Sequence, residues 1–515
     1  VFNATPILKL VAAFRARQLA AQDPRLIQER QLRRLLSAAK DTAFGRAHDF
    51  SRLRTIADYQ RTVPLRTYDK FWEEYFKAAF PVLDNVTWPG RIPYFAVSSG
   101  TSSGTTKYIP YTHEMTDSNT RAGLDLLVHH VLNRPRSKLF AGRCFMLGGS
   151  TNLVSQADGV LSGDLSGIAV KTMRWWARQR YFPPADLALL ENWEEKIERL
   201  AQESLRANIR MISGVPSWML ILLKRLSELV PESEGKITGI YPDLEMLVHG
   251  GVSFTPYYDT FRELLKGSHA ELREVYPASE GFIAVADRGY GEGLRIVLDH
   301  GIFFEFVPFD ELDSPNPTRH TVHSVELGVN YAIVLTTCAG LWSYVLGDTV
   351  RFVDLSPPRI LVTGRTSYYL SAFGEHLIAE EIEDAVSVAA TAIGLHISDY
   401  SVGPLYPTHP GELGGHLYVV ETAERVPTAD EQQAFLAALD GHLCKRNEDY
   451  KAHRAEGFGL HPPRAQFVPA GTFAEWMRVR GKLGGQHKVP RIIMKQELFD
   501  HLRNHVSHVS LEHER

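Results

Sequence analysis

Ten consecutive residues, Ser98-Ser99-Gly100-Thr101-Ser102-Ser103-Gly104-Thr105-Thr106-Lys107, crowd hydroxyls, glycines and one lysine together. Glycine has no Cβ, so backbone N–H groups can turn inward there. With the hydroxyls they can surround phosphate oxygens, and Lys107 adds positive charge. The spacing is not that of a Walker P-loop, which puts four residues between its glycines and joins the second to lysine. Here three residues separate Gly100 from Gly104, and Lys107 stands apart. A plain surface loop is the alternative.

Two acidic turns could complete a nucleotide site. Tyr276-Pro277-Ala278-Ser279-Glu280-Gly281 offers a ring that can stack on a base and a carboxylate that can hold Mg²⁺. Tyr344-Val345-Leu346-Gly347-Asp348-Thr349 sets an aspartate where it can accept from ribose hydroxyls, as acidic residues do in dinucleotide folds. Taken singly, each is an ordinary turn. Gly364-Arg365, Leu370 to Glu375 and Glu380 to Glu383 follow. Near the C-terminus, Gly481 to Arg491 carries Lys482 and Lys488 among glycines, suited to an anionic ligand. His113, His129 and His130 lack metal-ligand spacing. His249, beside Gly250-Gly251, is the histidine expected near the nucleotide, with Gly251 passing close to the base.

These residues need elements to position them. The first 60 or so residues read as helical, with Leu26, Ile27, Leu32, Leu35 and Leu36 at helical spacing. The stretch Pro6 to Phe14 is too short to span a membrane, and an amphipathic helix lying on the protein body is expected. Short apolar runs then end in Gly- or Ser-rich turns: Ile92–Val97, Cys144–Leu147, Ile209–Ile212, Leu244–Val248 and Leu272–Tyr276. Helical segments between them predict an α/β fold with a largely parallel sheet, whose ligands bind beyond the strands' carboxyl ends. From Gly301 to Val362 the texture is β-rich, a barrel-like or meandering subdomain. Beyond residue 365 an α+β unit is expected, with Thr428 and Glu431 as a capping box and Ile492–Met494 as a strand. The domains are therefore placed at 1–365 and 366–515.

Composition narrows the classes. The 515 residues carry a formal net charge of −4, with no basic excess for nucleic acid. Three cysteines, Cys144, Cys338 and Cys444, are far apart with no CxxC, which fits a reduced, cytoplasmic setting. No membrane span and no protein partner are expected.

Order and spacing of these segments resemble the adenylate-forming enzymes, and within them the auxin-responsive (Gretchen Hagen) acyl-acid amido synthetases. The likeness rests on Ser98 to Lys107, Ser213 to Trp218, Tyr276 to Glu280, Phe304 to Pro308, Thr336 to Asp348, Leu443 to Tyr450 and Gln486 to Arg491. It implies an ANL-type fold: a large adenylation domain and a smaller mobile C-terminal domain. It also implies ATP and Mg²⁺, a carboxylic acid substrate and an amine or amino acid acceptor. Ser98, Ser99, Thr101, Ser102 and Lys107 would hold phosphates; Tyr276 would flank the adenine beside Ser279; Glu280 would bind Mg²⁺. Asp348 would bind the ribose, helped by Arg365, and Lys488 would approach the phosphates, with Lys482 as a competitor. An acyl-CoA ligase shares the first half-reaction, and a non-catalytic nucleotide-binding protein is the alternative of another class. Trp175, Trp176 and Trp218 are candidates for the acid pocket.

Overall fold

The computed structural model describes residues 2–99, 106–148, 152–188, 190, 193–251, 254, 257–365, 369–370, 372, 375, 377–406, 413–447, 450–451, 454, 460–480 and 489–513. The contacts divide the chain into two units, the first reaching Val362 and the second running from Thr363 to the end.

The first unit opens with helices. Asp23 caps the helix Pro24–Ala39 by accepting from the Leu26 N–H, with Pro24 pre-set for the first turn. That helix buries Leu32, Leu35, Leu36 and Ala39. It also buries Gln28, which bonds the backbone of Leu298, Ile302 and Phe304 and so covers a sheet edge.

The strands are β1 (Tyr94–Ser99), β2 (Thr106–Tyr111), β3 (Arg143–Leu147), β4 (Leu153–Ala157), β5 (Val160–Gly163), β6 (Tyr181–Phe182), β7 (Ile209–Gly214), β8 (Met246–Gly250), β9 (Glu271–Ala278), β10 (Gly281–Val285), β11 (Leu294–Ile296), β12 (Ile302–Pro308), β13 (Asn330–Thr337), β14 (Tyr344–Leu355) and β15 (Pro358–Arg365). An eleven-stranded sheet has the order β12-β13-β14-β15-β11-β10-β9-β8-β7-β3-β6. Its β6-β3-β7-β8-β9 portion is parallel, as the alternation of short strands and helices requires. The rest pairs antiparallel where β9 meets β10, β10 meets β11, β11 meets β15, and β12 to β14 follow one another. The β-rich stretch is thus a meander that continues the main sheet.

One expectation changes here. The hydroxyl-rich stretch does not follow a strand of the main, largely parallel sheet. It joins β1 to β2 as an antiparallel pair in a separate four-stranded sheet, β2-β1-β5-β4. Both sheets close on one core, which holds Phe95, Ile109 and Tyr111 together with Tyr276, Ile283 and Tyr344.

In the second unit β16 (Tyr369–Leu370) pairs with β17 (Leu377–Ile378), and β18 (Ile397–Leu405), β19 (Gly415–Thr422) and β20 (Arg464–Val468) form a sheet. The Thr428–Glu431 capping box opens the helix Ala429–Arg446, which buries Phe435, Leu439 and Leu443. Ile492–Met494 is not a strand: Ile492 makes only an isolated bridge to Val402, and the chain turns into the helix Gln496–His513. Phe499, Leu502 and Val506 are buried along that helix, so the terminal segment is held by packing through Val506.

Candidate nucleotide site

Tyr276 lies on β9, and the two-residue turn Ser279-Glu280 carries the chain into β10, with Ala278 opposite Gly281. Asp348 lies on β14 within a bulge. Ala332 pairs with Thr349 and Val334 with Val345, four steps along β14 against two along β13. Gly347, at φ 92°, supplies the left-handed backbone such a bulge needs. The bulge re-aims Asp348.

The two segments grip each other crosswise. Tyr276 Oη donates to Asp348 Oδ2 at 2.5 Å, and Tyr344 Oη donates to Glu280 Oε1 at 3.0 Å. Strands β9 and β14 are four places apart in the sheet, roughly 19 Å if it were flat. A tyrosine and an aspartate cannot bridge that, so this part of the sheet curls until its faces meet. Tyr276, Tyr344 and Glu280 are all buried. Tyr344 is a residue that sequence reasoning passed over.

Gly251 follows β8 at φ 78°. Gly250 pairs with Val275, and a Cβ there would lie 2.3 Å from the Val275 carbonyl oxygen. That close approach sets Gly251 beside Tyr276. Lys107 pairs with Ser98 across the β1–β2 hairpin, and its Nζ lies 5.6 Å from the Tyr68 ring centroid. Tyr68 is itself fixed, accepting from the Tyr108 N–H at 2.8 Å, and burial pushes its hydroxyl up to about 12.

Ser98 and Ser99 end β1, and Arg365 ends β15, but their side chains lie outside the described residues. Thr101, Ser102, Lys482 and Lys488 lie wholly outside them. So the described structure brings together Tyr276, Ser279, Glu280, Asp348 and Gly251, and puts Lys107 on a neighbouring sheet that shares their core.

Other residues singled out from the sequence lie as follows. Glu381 accepts from the Ile378 N–H and Asn447, and Glu375 from His416, within the second unit. His130 lies between Glu245 and Glu271. His249 is buried and stacks on Phe254 with centroids 3.6 Å apart; burial pushes its ring down to about 3. Trp175 is exposed and Trp218 packs on the core around β7.

Mg²⁺ takes one or two carboxylates together with phosphate oxygens. Glu280, held in its turn by the Tyr344 hydroxyl, is a carboxylate of the kind that demand names. Asp125, Asp299 and His300 form a metal-like cluster elsewhere, but Arg15 bridges both aspartates at 2.7 Å and fills the place of a cation.

Three family models match the chain. The GH3 family N-terminal domain matches residues 15–185 and 158–270, the central domain 295–365 and the C-terminal domain 380–497. Indole-3-acetic acid-amido synthetase GH3.3 of Arabidopsis thaliana is 22% identical across 98% of this chain and 95% of its own. Among solved structures, AtGH3.15 acyl acid amido synthetase in complex with 2,4-DB has a TM-score of 0.80 at 18% identity, covering 97% of this chain and 96% of that one. A 2-hydroxyisobutyryl-CoA ligase in its postadenylation state with 2-HIB-AMP has a TM-score of 0.61 at 15% identity, covering 93% and 91%. The fold is that of the adenylate-forming enzymes.

Proposed function

This chain belongs to the GH3 family, and on that footing we propose that it is an ATP-dependent ligase that adenylates a carboxylic acid and passes the acyl group to an amine or amino acid. A carboxylate condenses poorly with an amine because its oxygen is a poor leaving group. In the first step a carboxylate oxygen bonds to the α-phosphorus of ATP, and the bond to the β-phosphate oxygen breaks to release pyrophosphate. In the second, the amine nitrogen bonds to the acyl carbon and loses a proton, and AMP leaves with the electron pair.

The residues divide by task. Asp348 accepts the ribose hydroxyls, with Arg365 assisting, and Tyr276 flanks the adenine beside Gly251 and Ser279. Lys107 and the stretch holding Ser98, Ser99, Thr101 and Ser102 bind the phosphates, and Lys488 or Lys482 approaches them during adenylation. Glu280 would hold Mg²⁺, which when bound neutralises charge on the phosphoryl oxygens. The observation that carries this reading is the crosswise Tyr276–Asp348 and Tyr344–Glu280 pairing, which places two oriented carboxylates on one curled sheet. A reduced, cytoplasmic setting belongs to the same proposal and rests on three free cysteines.

The test is pyrophosphate exchange into ATP across a panel of acids, followed by amino acids or coenzyme A as acceptors. Acid-dependent exchange with amide product is expected. Thioester without amide would replace this reading with the acyl-CoA ligase, and no exchange with any acid would leave a nucleotide-binding protein.

A further inference from the structure

The helix Thr5–Ala20 is apolar on two sides. Leu8, Ala12 and Leu19 are buried, Leu8 and Ala12 in a cluster with Ala122, Leu126 and Val131 of the helix His113–Asn133. Ile7, Leu10, Val11 and Phe14 occur at i, i+3, i+4 and i+7, the spacing of a single helix face. They are 59%, 74%, 39% and 65% exposed, and Phe2 precedes them at 78%. Scattered exposed hydrophobics are ordinary, but a continuous row marks an interaction surface. A helix apolar all round belongs in a core or in lipid, and here the protein covers one side.

Charge selects the occupant. Residues 2–22 contain no Asp or Glu. Arg15 is engaged by Asp125 and Asp299, and Arg134 by Glu271. Lys9 Nζ donates to the Pro135 carbonyl at 2.7 Å, which brings the turn bearing Arg136 and Lys138 alongside the helix. Arg17, Arg136 and Lys138 are exposed. Arg180 donates to the Phe2 carbonyl at 2.7 Å. The apolar row is thus bordered by cations with no acid on its own helix. A second copy docked by two-fold symmetry would press like charges together. Anionic headgroups would attract them, and an apolar stripe with a basic rim is the pattern of helices that lie in a bilayer interface.

We infer that this face docks on the surface of an anionic bilayer, with Leu10 and Phe14 at the acyl boundary and Lys9, Arg17, Arg136 and Lys138 among the headgroups. The contact is peripheral: no helix among the described residues is long and apolar enough to cross a membrane.

Sedimentation of the full chain with vesicles tests this, using phosphatidylcholine alone and equal parts phosphatidylcholine and phosphatidylglycerol. Partitioning onto the anionic vesicles should be about tenfold stronger than onto the neutral ones, and weaker in high salt. Leu10→Gln with Phe14→Gln should weaken it about tenfold or more, and Lys9→Gln with Lys138→Gln about fivefold or more. These side chains reach solvent, so thermal melting should be unchanged and will report any misfolding. Three outcomes would overturn the inference: wild type stays in the supernatant, neutral vesicles bind it equally well, or the Leu10/Phe14 variant binds as well as wild type. So would a wild-type dimer, seen by analytical ultracentrifugation, that this variant converts to monomer without any vesicle binding.

Discussion

Two acidic clusters of the large sheet are built in opposite ways. Beside the parallel strands, Glu245 takes bonds from Ser137, the Lys138 N–H, His130 and Arg210, while Glu271 takes Arg134 and Arg273. Burial alone would raise Glu245, yet its bonds from His130, Ser137 and Lys138 bring it down to about 2. In the curled antiparallel part, Glu280 and Asp348 are oriented by tyrosine hydroxyls. A guanidinium cancels a carboxylate's charge, whereas a phenol hydroxyl fixes where the carboxylate points. The first cluster holds strands together. The second is the one we propose for the nucleotide and its metal.

The largest expected effect separates the two clusters directly. Glu280→Gln should cut acid-dependent pyrophosphate exchange 10²–10³-fold, on the order of 3–4 kcal/mol, with little change in melting. Near-normal Mg²⁺-dependent exchange would remove Glu280 from the chemistry. Next, Glu245→Gln should cost about 3 kcal/mol in urea unfolding, because it removes the buried negative charge that His130, Ser137 and Arg210 all face. Exchange per folded molecule should hold, and a catalytic defect at full stability would reverse the contrast.

A pH experiment sharpens the parallel side further. His249 is neutral in the fold, pushed down to about 3, while the unfolded chain takes up a proton near 6.5. Its contribution is therefore lost as pH falls from about 6.5 towards 3. Its register partner Glu274, raised by burial to about 7, opposes this between about 7 and 4.5. Relative to wild type, His249→Phe should gain about 2 kcal/mol of stability between pH 7 and pH 5. Parallel stability curves would mean that the ring charges without cost. The smallest effects are the most discriminating. Tyr344→Phe and Tyr276→Phe should each cost about 1 kcal/mol, the first in Mg²⁺ half-saturation and the second in the KM for ATP. Identical shifts in both readouts would erase the separate roles.

Much of this site was legible because its residues are unusual for their places. A run of hydroxyls and glycines, a glutamate in a strand-ending turn and an aspartate after a glycine each stand out locally. The parallel strands were legible from apolar runs with turns behind them, and the capping box of the helix Ala429–Arg446 from two residues. What escaped depends on distant pairing. The curl of the sheet follows from how β9 and β14 meet, and nothing near either strand announces it. Tyr344 and Tyr68 carry no local signal of a role, and both are buried. One signal was present all the same. Tyr276 precedes Glu280 by four residues, and Tyr344 precedes Asp348 by four, so the crosswise pairing is written as a matched spacing. Ile492–Met494 misled because its β-branched run has only Val402 to pair with.

The length of the β14 bulge has its own consequence. The surplus over β13 is even, so odd and even positions keep their sides beyond it. Tyr344 before the bulge and Val350 and Phe352 after it all stay interior. Deleting a single residue there would invert that parity, turning Val350 and Phe352 out to water and Arg351 inward. The segment that aims the aspartate therefore also sets which half of the following strand is wet, and it can shorten only in pairs.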